Sequence, residues 1–297
     1  MPNALILSLL LSPAVCLGGR AASAPPTTTP PPAGTTAPAS PPSTAPPSTP
    51  VEAPATLPLA APDPAIVELL TRLERASDDL QQFQAVVAYE KYDELTGGAE
   101  LQFGRLLYVR EAGATRLGVL FNEYVDAAGR SDTLEQWYVF ADGWLCEIDR
   151  TRKQFIKRQI VPPGKTFDPL KLGEGPFPLP VGQRKDEVLA RFEVSAAPPP
   201  EARLLKALDM AAVSALRLVP KSGTPAAEEF VRVDLYYDTA TMLPVGVVAV
   251  DPVGNRKTVR LSKLVRNGGL SSEDRTLLSV ETPDPAMWTV DVRPWQE

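Results

Sequence analysis

The chain contains no histidine. That removes Ser-His-Asp and Cys-His nucleophile systems, histidine acid-base chemistry and every zinc site with imidazole ligands. Two cysteines, Cys16 and Cys146, leave the body of the chain with one thiol and no internal disulfide. What remains for catalysis is carboxylate. Asp78-Asp79 falls late in a helical stretch, where adjacent residues do not face each other. Glu228-Glu229 reads as the opening of a strand, which sends its two side chains to opposite faces. Both pairs therefore read as solvated surface. Two carboxylates distant in sequence remain open as a glycosidase pair, because that reaction needs no histidine. GxSxG, P-loop, GxGxxG, EF-hand and CxxC motifs are absent. The body reads as non-enzymatic, with no cofactor and no metal.

Two sets of residues are candidates for binding. Arg150, Arg152, Lys153, Lys157 and Arg158 cluster around one hairpin. They read either as a charged edge that discourages strand-to-strand aggregation or as a docking patch for anionic head groups or an acidic partner. Arg110 ends a strand and shares a face with Tyr108 and Leu106; it reads either as a solvated terminator or as a residue at the rim of a cavity. Cys146 alternates with Trp144 and Ile148 and reads as a core thiol. With a net charge of −6, nucleic acid is not expected as a partner.

The elements that must position these residues begin after an abrupt change near Asp63. Residues 1–24 hold a 14-residue apolar run, Ala4–Leu17, which suits a signal peptide and is too short to span a bilayer. Cys16 lies inside that run and is either discarded with it or a site of lipid attachment and membrane association. Residues 25–62 form a Pro/Thr/Ser/Ala tract with the composition of a disordered tether. Residues 63–297 form the patterned body, long enough for one core without disulfides. The order predicts export to the periplasm or cell envelope.

In the body, Asp63-Pro64 is a helix start, and the apolar spacing from Ile66 to Phe83 predicts a helix from Pro64 to Gln82. The period then shifts to two. QFQAVVAYEKYDEL, ELQFGRLLYVR, TRLGVLFNEYV, DTLEQWYVF, WLCEIDR and QFIKRQI follow, joined by turns such as Asp142-Gly143. A Pro/Gly-rich interval, Val161–Gly182, leads to a short helix near Gln183–Phe192 and an irregular stretch, Ala196–Ala202. Strands resume with ALRLVP, EFVRVDLYYD, PVGVVAVD and RKTVRLSKLV, and an apolar segment closes the chain at Leu277–Val292. The class is α+β, mostly β: an antiparallel sheet of about ten strands, curling toward a barrel with helices on one side. Several strands are apolar on both faces. Trp137, Val139 and Ala141 oppose Tyr138 and Phe140, so one face fits under helices and the other is left exposed or lines a cavity suited to acyl chains.

The order of these segments resembles the LolA/LolB-like family of periplasmic lipoprotein carriers. ASDDLQQFQAVV is similar to the phrase that ends the family's first helix. GRLLYVR, Gly104–Arg110, matches its GxLxxxR strand. Asp142-Gly143-Trp144, ALRLVPK, the paired strands of LYYDTATMLPVGVVAVDPVGNRKTVRL and WTVDVRP follow in the family's order. LGEGPFPLPVG, Leu172–Gly182, is similar to a phrase of uncharacterised planctomycete members. The resemblance implies an unclosed antiparallel β-barrel with an N-terminal helix and central helices covering a hydrophobic cavity, and a non-enzymatic carrier of lipoprotein acyl chains or other lipids. It also implies that Arg110 bonds to a lid helix, although the family's Pro after that arginine is Glu111 here. A relative of this fold regulates a sigma factor. The alternative is therefore a tethered envelope interaction or sensor protein with a closed hydrophobic core, an envelope protein as partner and no lipid cargo.

Overall fold

A computed structural model describes residues 63–111, 114–165, 181 and 184–296, all within one structural unit. The leader with Cys16, the 25–62 tract and all of Leu172–Gly182 except Val181 lie outside the described residues.

Helix α1 (Pro64–Ala76) begins where the sequence places it. The Asp63 side chain accepts the Ala65 N–H at 2.9 Å, Pro64 sits in the first turn, and Ile66, Leu70 and Leu73 form one buried stripe. It ends six residues earlier than the predicted Gln82. The Ser77 hydroxyl donates to the Glu74 carbonyl at 2.9 Å, and Leu80 N–H turns back to the Ser77 carbonyl at 3.2 Å. Asp78 and Asp79 thus lie in a turn rather than on the helix. Leu80 and Phe83 are buried, as their apolar character requires, but from the turn and the first strand.

Twelve strands follow: β1 (Gln82–Tyr92), β2 (Ala99–Glu111), β3 (Ala114–Val125), β4 (Ser131–Ala141), β5 (Trp144–Asp149), β6 (Gln154–Gln159), β7 (Phe192–Ala196), β8 (Val213–Pro220), β9 (Arg232–Asp238), β10 (Pro244–Val250), β11 (Arg256–Arg266) and β12 (Thr289–Arg293). They form one unclosed sheet in the order β12-β6-β5-β4-β3-β2-β1-β11-β10-β9-β8-β7. Every pair is antiparallel except β12 with β6. The two strands beyond the expected ten, β7 and β12, are five residues each, too short for a clear period in the sequence. Asp142 and Gly143 take φ of 52° and 80°, the double positive φ of a tight hairpin turn. Gly104 sits at a bulge where a Cβ would stand 2.0 Å from the Leu120 carbonyl oxygen, so only glycine fits.

Helix α2 (Lys185–Arg191) lies within the predicted short helix. Helix α3 (Pro225–Glu229) corrects the reading of Glu228-Glu229 as a strand start: Pro225 opens a single turn that Phe230 N–H closes on the Ala226 carbonyl at 2.9 Å. Helix α4 (Ser272–Leu277) lies near the C-terminus, its Ser271 cap accepting from Asp274 N–H at 3.0 Å.

One face of the sheet, the inner face, carries the largest apolar cluster. It runs across β1–β4 and β8–β11, through Val87, Tyr108, Phe121, Phe140, Leu235 and Val259, and α1 packs on it. The other face was expected to be exposed or to line a cavity. It has covers of its own. Leu270, Leu278 and Trp288 of the C-terminal segment lie on Leu107, Val139, Cys146 and Phe155. A stretch with two 3₁₀ turns, Arg203–Leu205 and Met210–Ala212, lies on Tyr236, Val245 and Val248. Leu278 comes close because Gly118 has no side chain; a Cβ there would stand 2.8 Å from Leu278 Cδ2.

Candidate functional site

Strand alternation on β2 places Leu106 and Tyr108 on the inner face, both fully buried, with Arg110 next on that face where the strand ends. The Arg110 guanidinium lies 6.0 Å from the centre of the Tyr108 ring, and its Nη1 donates to the Ser77 carbonyl at 3.4 Å. Ser77 is the C-cap of α1. The last carbonyls of a helix carry partial negative charge and have no intrahelical donor, so a cation there satisfies hydrogen bonds and dipole together. Arg110 is therefore neither a bare strand terminator nor distant from the helix.

The same helix end draws a second arginine. Nη2 of Arg266, the last residue of β11, donates to the Ala76 carbonyl at 2.8 Å and to the Asp79 carboxylate. Its Nη1 donates to the Thr241 carbonyl at 3.4 Å. The next residue, Asn267, has φ of 52°; its Oδ1 accepts Gln81 N–H at 2.9 Å and Gln82 N–H at 3.0 Å, and its Nδ2 donates to the Asp79 carbonyl at 2.9 Å. Arg72 on α1 also donates to the Thr239 carbonyl at 3.0 Å. Two strand ends far apart in sequence thus fasten the junction of α1 and β1. Sequence reasoning missed Arg266 and Asn267. The signal present, Asn-Gly-Gly after an apolar strand, marks a turn with positive φ, and nothing in it names a helix 190 residues away.

Glu111, where the resembling family has proline, pairs with Arg275 of α4. Arg105 of β2 donates to Asp274 at 2.9 Å. The outer cover is therefore bound to β2, the strand that carries Arg110.

The five basic residues of the hairpin do not share one surface. Strand β6 is no edge, because β12 pairs along it and Thr289 N–H donates to the Lys153 carbonyl at 2.9 Å. Lys157 lies on the outer face, 5.0 Å over the Trp144 ring. Arg158 points to the opposite face and donates to Glu147 at 2.6 Å, with both side chains more than four-fifths buried. Burial holds the Glu147 carboxyl above the usual range, against the pull of Arg158. Arg150 stacks on Trp137 at 4.7 Å and faces Glu135 at 3.8 Å; Arg152 faces Asp149 at 3.7 Å. Arg150, Arg152 and Lys153 remain together at the β5–β6 turn.

No three histidine, cysteine or acidic side chains group to hold a metal ion among the described residues. No described helix is long and apolar enough to cross a membrane. A cleft of about 470 Å³ opens where β1 and β2 meet, lined by Glu90, Tyr92, Leu101, Asp126, Arg203 and Arg256 among others.

No protein-family model matches the chain. A search of the curated proteins finds no match. Among solved structures, the MucA/MucB complex of Pseudomonas aeruginosa is similar at 16% identity and a TM-score of 0.42, over 71% of this chain and 60% of that one. The chain thus spans about three fifths of that protein's length. An uncharacterised conserved protein of Thermus thermophilus is similar at 14% identity and 0.41, over 77% of this chain and 99% of that one. A putative outer membrane lipoprotein-sorting protein domain of Vibrio parahaemolyticus is similar at 10% identity and 0.34, over 72% and 98%.

Proposed function

We propose that this chain is a non-enzymatic binding protein of the cell envelope that takes up lipoprotein acyl chains or another lipid on the inner face of its sheet, with α1 as the cover. One observation carries the reading. The inner face is apolar without a break across β1–β4 and β8–β11, and the helix over it is fastened at one end by polar bonds from Arg110 and Arg266. An acyl chain competes with Ile66, Leu70 and Leu73 for that surface. Each buried methylene contributes about 0.8 kcal/mol, and a net hydrogen bond about 0.5–1.5 kcal/mol, so a few carbons offset the loss of the fastening. An exported and tethered chain would act in the periplasm or cell envelope, and Arg150, Arg152 and Lys153 are the residues that would meet an acidic partner or anionic head groups.

Uptake and displacement of a fluorescent fatty acyl probe test the reading, with circular dichroism as the fold control. Saturable uptake is expected, with Arg110→Leu and Arg266→Leu each changing uptake or release while the fold survives. Absence of saturable uptake by the wild type defeats it.

The tight packing of the inner face favours a second reading. Tyr108, Phe83, Phe121 and Tyr237 are almost entirely buried there. A closed core of this kind suits a tethered interaction or sensor protein whose partner is another envelope protein. Native mass spectrometry of protein from a membrane-containing lysate separates the two: co-purified lipid supports the carrier, and a clean apo mass with no uptake of added lipid supports the second.

A further inference from the structure

Glu90 stands on β1 with Leu101 of β2 and Thr258 of β11 as its cross-strand partners, on the outer face. It is 8% exposed, and among the described residues it accepts no hydrogen bond and enters no ion pair. A carboxylate on so buried a residue ordinarily has donors or a counter-charge, because burying the charge alone is costly, and the Glu90 oxygens are not among the fully buried side-chain atoms without a partner. Glu90 instead lines the cleft of about 470 Å³, whose size lies in the range of small-ligand sites. Arg256 and Arg203 line the same cleft. Arg256 lies over the Tyr92 ring at 4.1 Å, and neither guanidinium is in an ion pair among the described residues. Asp126, also on the rim, is already committed to Arg130 by a side-chain bond of 2.7 Å. An ammonium group is a chemical complement to such a carboxylate, through charge-assisted hydrogen bonds.

We propose that this cleft binds a small zwitterion, with its ammonium on Glu90 and its phosphate on Arg256 and Arg203. The buried carboxylate supplies the charge-assisted acceptor and the rim guanidiniums supply the forked donors such a ligand needs. A free aminoalkyl phosphate and an ethanolamine lipid head group share this chemistry. The site lies on the sheet face opposite the proposed acyl surface and does not depend on that reading.

The test is calorimetric titration of the full chain with phosphoethanolamine, ethanolamine and inorganic phosphate, beside co-sedimentation with phosphatidylethanolamine or phosphatidylglycerol vesicles. Phosphoethanolamine is expected to bind saturably, at least tenfold more tightly than either fragment. Glu90→Gln and Arg203→Ala should each weaken binding tenfold or more; Arg203 is exposed, so its variant keeps the fold. Binding of the free compound assigns a soluble ligand, and selective binding to phosphatidylethanolamine vesicles that Glu90→Gln abolishes assigns the head group. Absence of both, or binding unchanged in Glu90→Gln, overturns the proposal. A ligand-free readout is independent of these arms: the thermal midpoint of Glu90→Gln should equal or exceed that of the wild type. A clear fall would mean that the carboxylate has a structural partner, and the proposal fails.

Discussion

Burial pushes the Cys146 thiol up to about 11, and the nearby Lys157 only partly opposes this. The thiolate is the reactive form, so almost none exists at neutral pH. Thiol-reactive dye should label the native protein slowly and the unfolded protein fast; equal rates would contradict the burial. Cys146→Ser should cost roughly 1–3 kcal/mol, the penalty of a buried hydroxyl without a partner, measured by denaturant unfolding. Tyr89 poses the opposite case. Its ring lies between Phe121, 6.2 Å away, and the rest of the inner core, and its buried hydroxyl has no hydrogen-bond partner among the described residues. Removing that oxygen takes away an unmet desolvation cost, so Tyr89→Phe should leave the thermal midpoint unchanged or raise it. A fall of several degrees would reveal an acceptor.

At the scale of elements, the α1–β1 junction and the C-terminal cover carry the sharpest expectations. Asn267 combines a positive φ with two accepted backbone N–H groups. Asn267→Gly keeps the backbone conformation and loses the bonds. Asn267→Ala loses the bonds and strains the backbone, so chemical denaturation should find the alanine variant the less stable by about 1 kcal/mol. Equal stabilities would mean that the backbone relaxes. The C-terminal segment is held by Leu270 and Leu278 in the outer cluster and by the Arg105–Asp274 pair. If it is part of the folded core, Leu278→Ala should destabilise by about 2–4 kcal/mol through the cavity it leaves. A cost well under 1 kcal/mol would make the segment a loose flap.

For the molecule as a whole, the composition of residues 25–62 predicts that the body folds without them. Their tract has one charge, Glu52, and almost no large apolar side chain before Leu57. Deleting Pro25–Leu59 should leave the calorimetric midpoint of the body within error of the full chain. A drop of many degrees would show that the tract docks on the sheet. The sheet itself ties N- and C-terminal parts together: β1 pairs β11 and β6 pairs β12. Such long-range pairing predicts one cooperative transition, with the two halves of the sheet unfolding together.

The alternation of apolar and polar residues determined much of this on its own. Eleven residues of β1, the hairpins after it and the two-sided apolar strands β2 and β4 were legible because strand period depends only on neighbours in sequence. Asp63-Pro64 fixed where α1 begins for the same local reason, and Arg110 was legible as a residue on the face of Tyr108. The tertiary structure decided the rest. Helix α1 stops at Ala76 in a local turn, and beyond it Asn267 takes the N–H groups of Gln81 and Gln82, bonds across 185 residues and more that no window of sequence contains. Strand β12 joins β6 in parallel, which removes the free edge that the basic hairpin was read to guard. The covers of the outer face, and the choice of Glu90 as the buried acid without a partner, follow from which strands become neighbours. Alternation assigns a side chain to a face, and only the folded sheet decides what lies over it.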